Sequence, residues 1–428
     1  MVTLLSKLKL IILMIIVGLA PQNCVDSSQA STVPLASAKK SGLLDVKALD
    51  YAKDRIANED SLFLIPYLAL AADAKRALEL KPPSVMDKVV TPPSGDKHDY
   101  TSMSPYWWPD PDSRDGLPYI RRDGVVNPER DAFDKLPGAI MSEAVRACAL
   151  MFYFTGDETY AEKASELLRS WFLDPATKMN PNLNYGQFVP GVSEGRSVGI
   201  IESRNFVFLT DYEILLSASS HWTVRDHQQF YDWMNSFLDW LLNSKLGKQE
   251  RAHTNNHGSW CDFQLLALCQ YCDRNDVGLE IARNLNSERL TKQITKTGEQ
   301  PEELARTKSF NYSVFNLTAL VKSAILAEYY GILLYAENQD ESRLRAGIEF
   351  LIPFTLETKV WPYTQISGME NAKEGMIPLL NYLKARNPQS NFKDELLWLN
   401  QKFPGSLDIL TTTVYHKIHT DLTAKKNG

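Results

Sequence analysis

The chain has 428 residues, 44% hydrophobic and 23% charged, a balance ordinary for a globular protein with a large core and long enough for one large domain or two smaller ones. Its formal net charge of −6 gives no global basic field to hold nucleic acid. A polyanionic ligand would have to be met by local arginine and lysine.

The first ten residues carry Lys7 and Lys9, and an apolar run from Ile11 to Ala20 follows. A basic start and a short apolar core read as an export signal, too short for a comfortable membrane span. Residues 1–24 are therefore assigned to a signal peptide, 25–43 to a polar linker and 44–420 to the folded part. Cys24 stands where a lipoprotein signal would place its lipid anchor, while Ser28-Gln-Ala30 offers an ordinary cleavage site. Both readings stay open. The expected location is exported: periplasm, cell surface as a lipoprotein, or secreted.

From Leu44 to Leu80 the apolar spacing predicts helix, stopped by Pro82-Pro83. Val89 to Arg130 differs. It holds Ser104-Pro-Tyr-Trp-Trp-Pro-Asp-Pro111, Gly116-Leu-Pro-Tyr119 and Asp123-Gly-Val-Val-Asn-Pro-Glu129. A long loop dense in proline, glycine and aromatics is usually functional in a compact domain. Tyr106, Trp107 and Trp108 either stack on sugar faces or plug the end of a helical barrel. Helical patterns then come in pairs: 139–154 with 159–172, 199–217 with 222–242, 258–272 with 277–290, 310–336 with 342–354, and 376–386 with 392–403. Period-two alternation is scarce. Repeated helix–turn–helix units with little sheet predict an all-α fold, an open solenoid or a closed (α/α) toroid of six to seven hairpins, possessing no second domain.

Cys269-Gln-Tyr-Cys272 is a CxxC without a second pair, inside an apolar helical pattern. With Cys148 and Cys261 it reads as core or as one disulfide rather than as a metal site. His253-Thr-Asn-Asn-His257 has the spacing of a zinc helix, but Thr254 stands where the catalytic glutamate would be and no third ligand is evident. Asn255, Asn256 and His257 before Gly258 read either as a plain helix cap or as a polar site at a helix start.

The second polar stretch is Gln300-Pro-Glu-Glu-Leu-Ala-Arg306, with Tyr312 six residues on. A phenol, an imidazole, an amide and a guanidinium suit proton abstraction beside a carboxylate. A uronate's C5 proton leaves only when its carboxylate is neutralised. Hydrolysis would need paired carboxylates. Glu194, Glu202, Asp211, Glu302 and Glu303 are candidates, but none forms a convincing pair. Glu302 and Glu303 are expected to begin a helical turn or hold Arg306, and Glu202 to pair internally with Arg204.

Together, the Tyr-Trp-Trp-Pro loop, Gly116-Leu-Pro-Tyr119, Asn255-Asn-His-Gly258 and Arg306…Tyr312 resemble the alginate lyase superfamily over roughly residues 60–380, closest to a uronan-lyase branch related to the poly-mannuronate lyases. The resemblance implies an α/α-toroid lyase that cleaves alginate or another anionic uronan by β-elimination without metal or other cofactor. It implies Asn256 and Arg306 at the uronate carboxylate, His257 assisting there and able to act as base, and Tyr312 as acid, or as base when the C5 proton is on its side. Tyr106, Trp107, Trp108 and Asn255 are the expected substrate contacts. A further loop arginine has Arg121, Arg122 and Arg130 as candidates. The alternatives are a glycoside hydrolase on the same toroid and a non-catalytic glycan-binding lipoprotein.

Overall fold

The computed structural model describes residues 42–334, 342–386 and 392–412. The expected signal peptide, Cys24 and nearly all of the expected linker lie outside the described residues. All the described residues fall in one compact unit.

Local chemistry sets the first hairpins. Helix α1, Val46–Ala57, starts where Asp45 accepts the Lys47 N–H, and α2, Ser61–Leu78, where Asp60 accepts the Leu62 N–H. Helix α3, Lys135–Thr155, stops at Gly156, whose φ of 72° ends the helix with its N–H on Phe152. Asp157 then caps α4, Glu158–Leu168, so a glycine and an aspartate turn the chain back on itself. Helix α5, Arg204–Leu216, is followed by α6, Val224–Asn243, which opens with a Thr223–Asp226 capping box. The short α7 is Lys245–Arg251, and α8 is Asn256–Tyr271, capped by Asn255. Then come α9, Asn275–Leu285, α10, Ser309–Tyr329, α11, Arg343–Thr355, α12, Met376–Arg386, and α13, Lys393–Lys402.

The hairpins form an all-α toroid. Helices α3, α8 and α10 are buried around most of their circumference, as inner-ring helices must be. The outward α4, α6 and α9 bury one face only. Neighbours pack in sequence, α3 on α4 and α5, and α8 on α10. A last turn, Asp408–Thr412, packs on α1 and α2 and brings the end of the ring to its beginning. Apolar side chains form one cluster under α1–α9 and another joining α10–α13.

Among the described residues, sheet is confined to two small pairings. Strand β1, Thr101–Met103, runs parallel to β4, Tyr185–Phe188, while β2, Trp107–Trp108, pairs antiparallel with β3, Ile120–Arg121. They staple the long loop over the ring. The buried ion pair Lys88–Asp134, 2.9 Å, holds the loop's base, with Asp134 also accepting the Thr101 N–H. Burial pushes the Asp134 carboxyl up to about 6 against the pull of Lys88.

Glu202 is a second staple. It accepts from Tyr100, Ser102 and Gln187 and pairs with Lys135 at 2.9 Å. The expected Glu202–Arg204 ion pair is not made, because four neighbours already fill that carboxylate. Cys148, Cys261, Cys269 and Cys272 are buried thiols that no disulfide joins. Burial raises the thiol pKa of Cys148 and of Cys269 to about 12. These cysteines are core residues.

Candidate active site

The N-termini of α8 and α10 lie side by side under the stapled loop. They open on a cavity of about 630 Å³ whose wall includes Asn255, Asn256, His257, Arg306 and Tyr312, with Tyr106 and Trp107 above. Two stretches about fifty residues apart in sequence thus meet because α8 packs on α10.

Arg306 and Tyr312 form the tightest part of the site. The guanidinium stacks 3.8 Å from the Tyr312 ring centroid, and its Nη2 donates to Tyr312 Oη at 2.8 Å. Asp123 of the loop fixes Arg306 from behind, accepting from Nη2 at 2.8 Å and from Nε at 3.2 Å, and accepts also from Thr307 Oγ1. Burial alone would raise the Asp123 carboxyl, but Arg306, Thr307 and Arg121 hold it well below the usual carboxylate range. Gly124, φ 78°, lets this loop lie close; a Cβ there would meet Thr307 Oγ1 at 2.5 Å. Tyr106 Oη sits 3.0 Å from Tyr312 Oη. Burial, with the Tyr106 phenol beside it, raises the Tyr312 pKa far above its ordinary value against the pull of Arg306. The free site therefore holds a neutral phenol.

His257 is oriented from below. Its Nδ1 lies 2.7 Å from Glu250 Oε1, and Glu250 is fully buried at the end of α7. A carboxylate on Nδ1 keeps a proton there and leaves Nε2 as an acceptor. His253 also approaches Glu250, at 3.7 Å. Among the described residues, however, no group of three or more His, Cys, Asp or Glu side chains could hold a metal ion.

Asn256 is fully buried in the first turn of α8. Its backbone N–H donates to Glu303 at 2.7 Å and its Nδ2 to both oxygens of the same carboxylate, at 3.1 and 2.8 Å. Its Oδ1 is buried without a partner. Burial raises the Glu303 carboxyl against those hydrogen bonds. Glu302 and Glu303 do begin a short turn, Pro301–Leu304. The expected hold of Glu303 on Arg306 is replaced by a clamp on Asn256, and Asp123 takes the arginine. Asn255 caps α8 by accepting the His257 N–H, and it also lines the cavity.

The wall carries Arg121, Lys135, Arg196, Arg204, Arg306 and Lys308, and no aspartate or glutamate among the described residues. A cavity of one sign on an acidic protein is a local field for an anion. Trp107 lies on the wall under the Arg196 guanidinium, 5.6 Å from ring centroid to charge. Trp108 does not join it: its indole donates to Val125 O and Arg122 stacks on its ring. Of the three loop arginines, Arg121 reaches the cavity. Arg122 is engaged on Trp108 and Arg130 pairs with Asp131. Sequence reasoning missed Asp123, Glu250, Arg196, Lys135 and Lys308. A loop aspartate and a glutamate seven residues before a histidine carry no local signal, since only tertiary packing aims them.

An inner ring of helices with a phenol, an imidazole and a guanidinium at one cationic end defines a polysaccharide lyase of the α/α-toroid class. The chain belongs to the alginate lyase family, whose model matches residues 84–361. An alginate lyase from Bacteroides ovatus is 36% identical, with a TM-score of 0.82 over 87% of this chain and 99% of its own. Alginate lyase A1-III from Sphingomonas species A1 shares the fold at 14% identity, TM-score 0.51, over 90% of this chain and 99% of its own. A variant of A1-III complexed with a tetrasaccharide aligns over the same shares at 14% identity and TM-score 0.53. No curated protein sequence matches the chain.

Proposed function

We propose that this protein is an exported lyase that cleaves uronate polymers, alginate foremost, by β-elimination, leaving a 4,5-unsaturated uronate at the new non-reducing end. One observation carries the reading: a cavity walled by six lysines and arginines and no carboxylate, with Tyr312 and His257 on the same wall. The uronate carboxylate lies against Arg306, whose orientation Asp123 fixes, and Asn256, clamped by Glu303, flanks it. Neutralised, that carboxylate delocalises the electron pair left when C5–H breaks. His257 Nε2 takes the C5 proton, with Glu250 steadying the ring. The C4–O4 bond breaks as the C4=C5 bond forms, and the neutral Tyr312 phenol gives its proton to O4. Tyr106 and Trp107 contact the sugars around that bond.

A hydrolase would need two carboxyl groups facing the glycosidic bond. The nearest buried ones, Glu202, Glu250 and Glu303, are each engaged behind the wall. The N-terminal basic and apolar run supports export. The test is ultraviolet absorbance of the new double bond, with mannuronate and guluronate blocks, glucuronan and pectate as substrates. A rise on a uronan that persists in EDTA is expected. Release of reducing ends without that absorbance would overturn the reading in favour of hydrolysis.

A further inference from the structure

Arg204 is a cation on the cavity wall without a carboxylate beside it. It lines the cavity and is the first residue of α5. Its Nη1 donates to Ile201 O at 2.6 Å, and the guanidinium lies over the rings of Trp260 and Phe315, 5.5 and 5.2 Å from their centroids. Among the described residues it has no ion pair. On the same wall Lys135 pairs with Glu202, and Arg121 and Arg306 pair with Asp123, while Arg196 and Lys308 lie against the loop aromatics Trp107 and Tyr106. Holding a guanidinium there, among aromatic faces, suits an anion that arrives with the ligand.

Its depth follows from helix geometry. Phe315 is three residues beyond Tyr312 on α10, and Trp260 three beyond His257 on α8. The two rings beside Arg204 thus stand about one turn, roughly 5 Å, along both helices from the proton-transfer pair. That step is comparable with the span of one sugar ring in a chain.

We infer that Arg204 forms a second carboxylate subsite, binding the uronate that adjoins the residue being deprotonated. The inference rests on the lyase reading above. It makes the enzyme selective for consecutive uronates, because an uncharged neighbour would leave the half-buried guanidinium without a counter-charge. The aromatic pair beneath it fixes the guanidinium plane, so two N–H groups can meet both carboxylate oxygens.

The experiment measures KM and kcat for wild type, Arg204→Met and Arg204→Lys on alginate tetrasaccharides, followed by double-bond absorbance. Methionine keeps an apolar stem on Trp260 and Phe315 while removing the charge. It should raise KM about tenfold to a hundredfold and leave kcat within about threefold, as for a lost charge-assisted contact. Lysine should recover part of the loss. Independently of any variant, wild type should show a similar loss on a tetrasaccharide whose carboxyl next to the cleaved residue is reduced to the alcohol. If wild type accepts that neutral neighbour as readily as the full uronate, the subsite is refuted while the lyase reading stands, and an unchanged KM in a folded Arg204→Met protein says the same. If wild type makes no unsaturated product on any uronan, the lyase reading itself falls.

Discussion

Replacing Tyr312 by phenylalanine separates catalysis from folding at this site. The ring would keep its place 3.8 Å from the Arg306 guanidinium. What disappears is one oxygen, which accepts from Arg306 at 2.8 Å and meets Tyr106 Oη at 3.0 Å. Arg306 retains both hydrogen bonds to Asp123, so the loss of stability should be about 1 kcal/mol. The rate should fall far more. Without the phenol, O4 departs as an alkoxide, and general acid catalysis is worth about 10²–10⁴-fold, or roughly 3–5 kcal/mol of barrier. Initial rates of double-bond formation on alginate, beside a thermal melt followed by circular dichroism, measure both quantities. A folded Tyr312→Phe enzyme within about tenfold of wild-type kcat/KM would refute the assignment of Tyr312 as the acid.

Four further outcomes are expected. Glu250→Ala should lower kcat by about a hundredfold by releasing the His257 ring, while Glu250→Gln, which still accepts from Nδ1, should recover most of it; equal losses in the two, measured as kcat, would mean that Glu250 supports only the fold. Lys88→Met leaves Asp134 charged and buried and should lower unfolding free energy by about 3–5 kcal/mol near neutral pH, read by denaturant titration. Because burial lifts Asp134 to about 6, the folded chain holds a proton over roughly pH 4–6 that the unfolded chain releases. Stability from this group is full below that window and is lost as pH rises through it, and Asp134→Asn should flatten that part of the stability–pH curve. Finally, salt should raise KM for a polyuronate more than it changes kcat, since six cations line the cavity; a salt-independent KM would argue against a polyanionic substrate.

The sequence by itself determined the helices and their pairing, because helix-period spacing, caps and glycine stops are local. Gly156-Asp157 turned α3 into α4 where both residues stand, and Asn255 capped α8 as its type predicts. The two polar knots, Asn255–His257 and Arg306–Tyr312, were legible too, since each occupies a helix start that needs no such chemistry. Tertiary structure decided what they face and what holds them. Asp123 lies 183 residues from Arg306, and Glu303 lies 47 from the Asn256 it clamps, so no local pattern could join them. Trp107 and Trp108 are neighbours in sequence, yet strand pairing sends one to the cavity and the other to Val125, because side chains alternate across a strand. The sign of the cavity was equally hidden. A chain of net charge −6 gathers its cations on one inner wall only when the ring closes, since the residues that supply them come from the long loop, α3, the segments just before and at the start of α5, and the turn leading into α10.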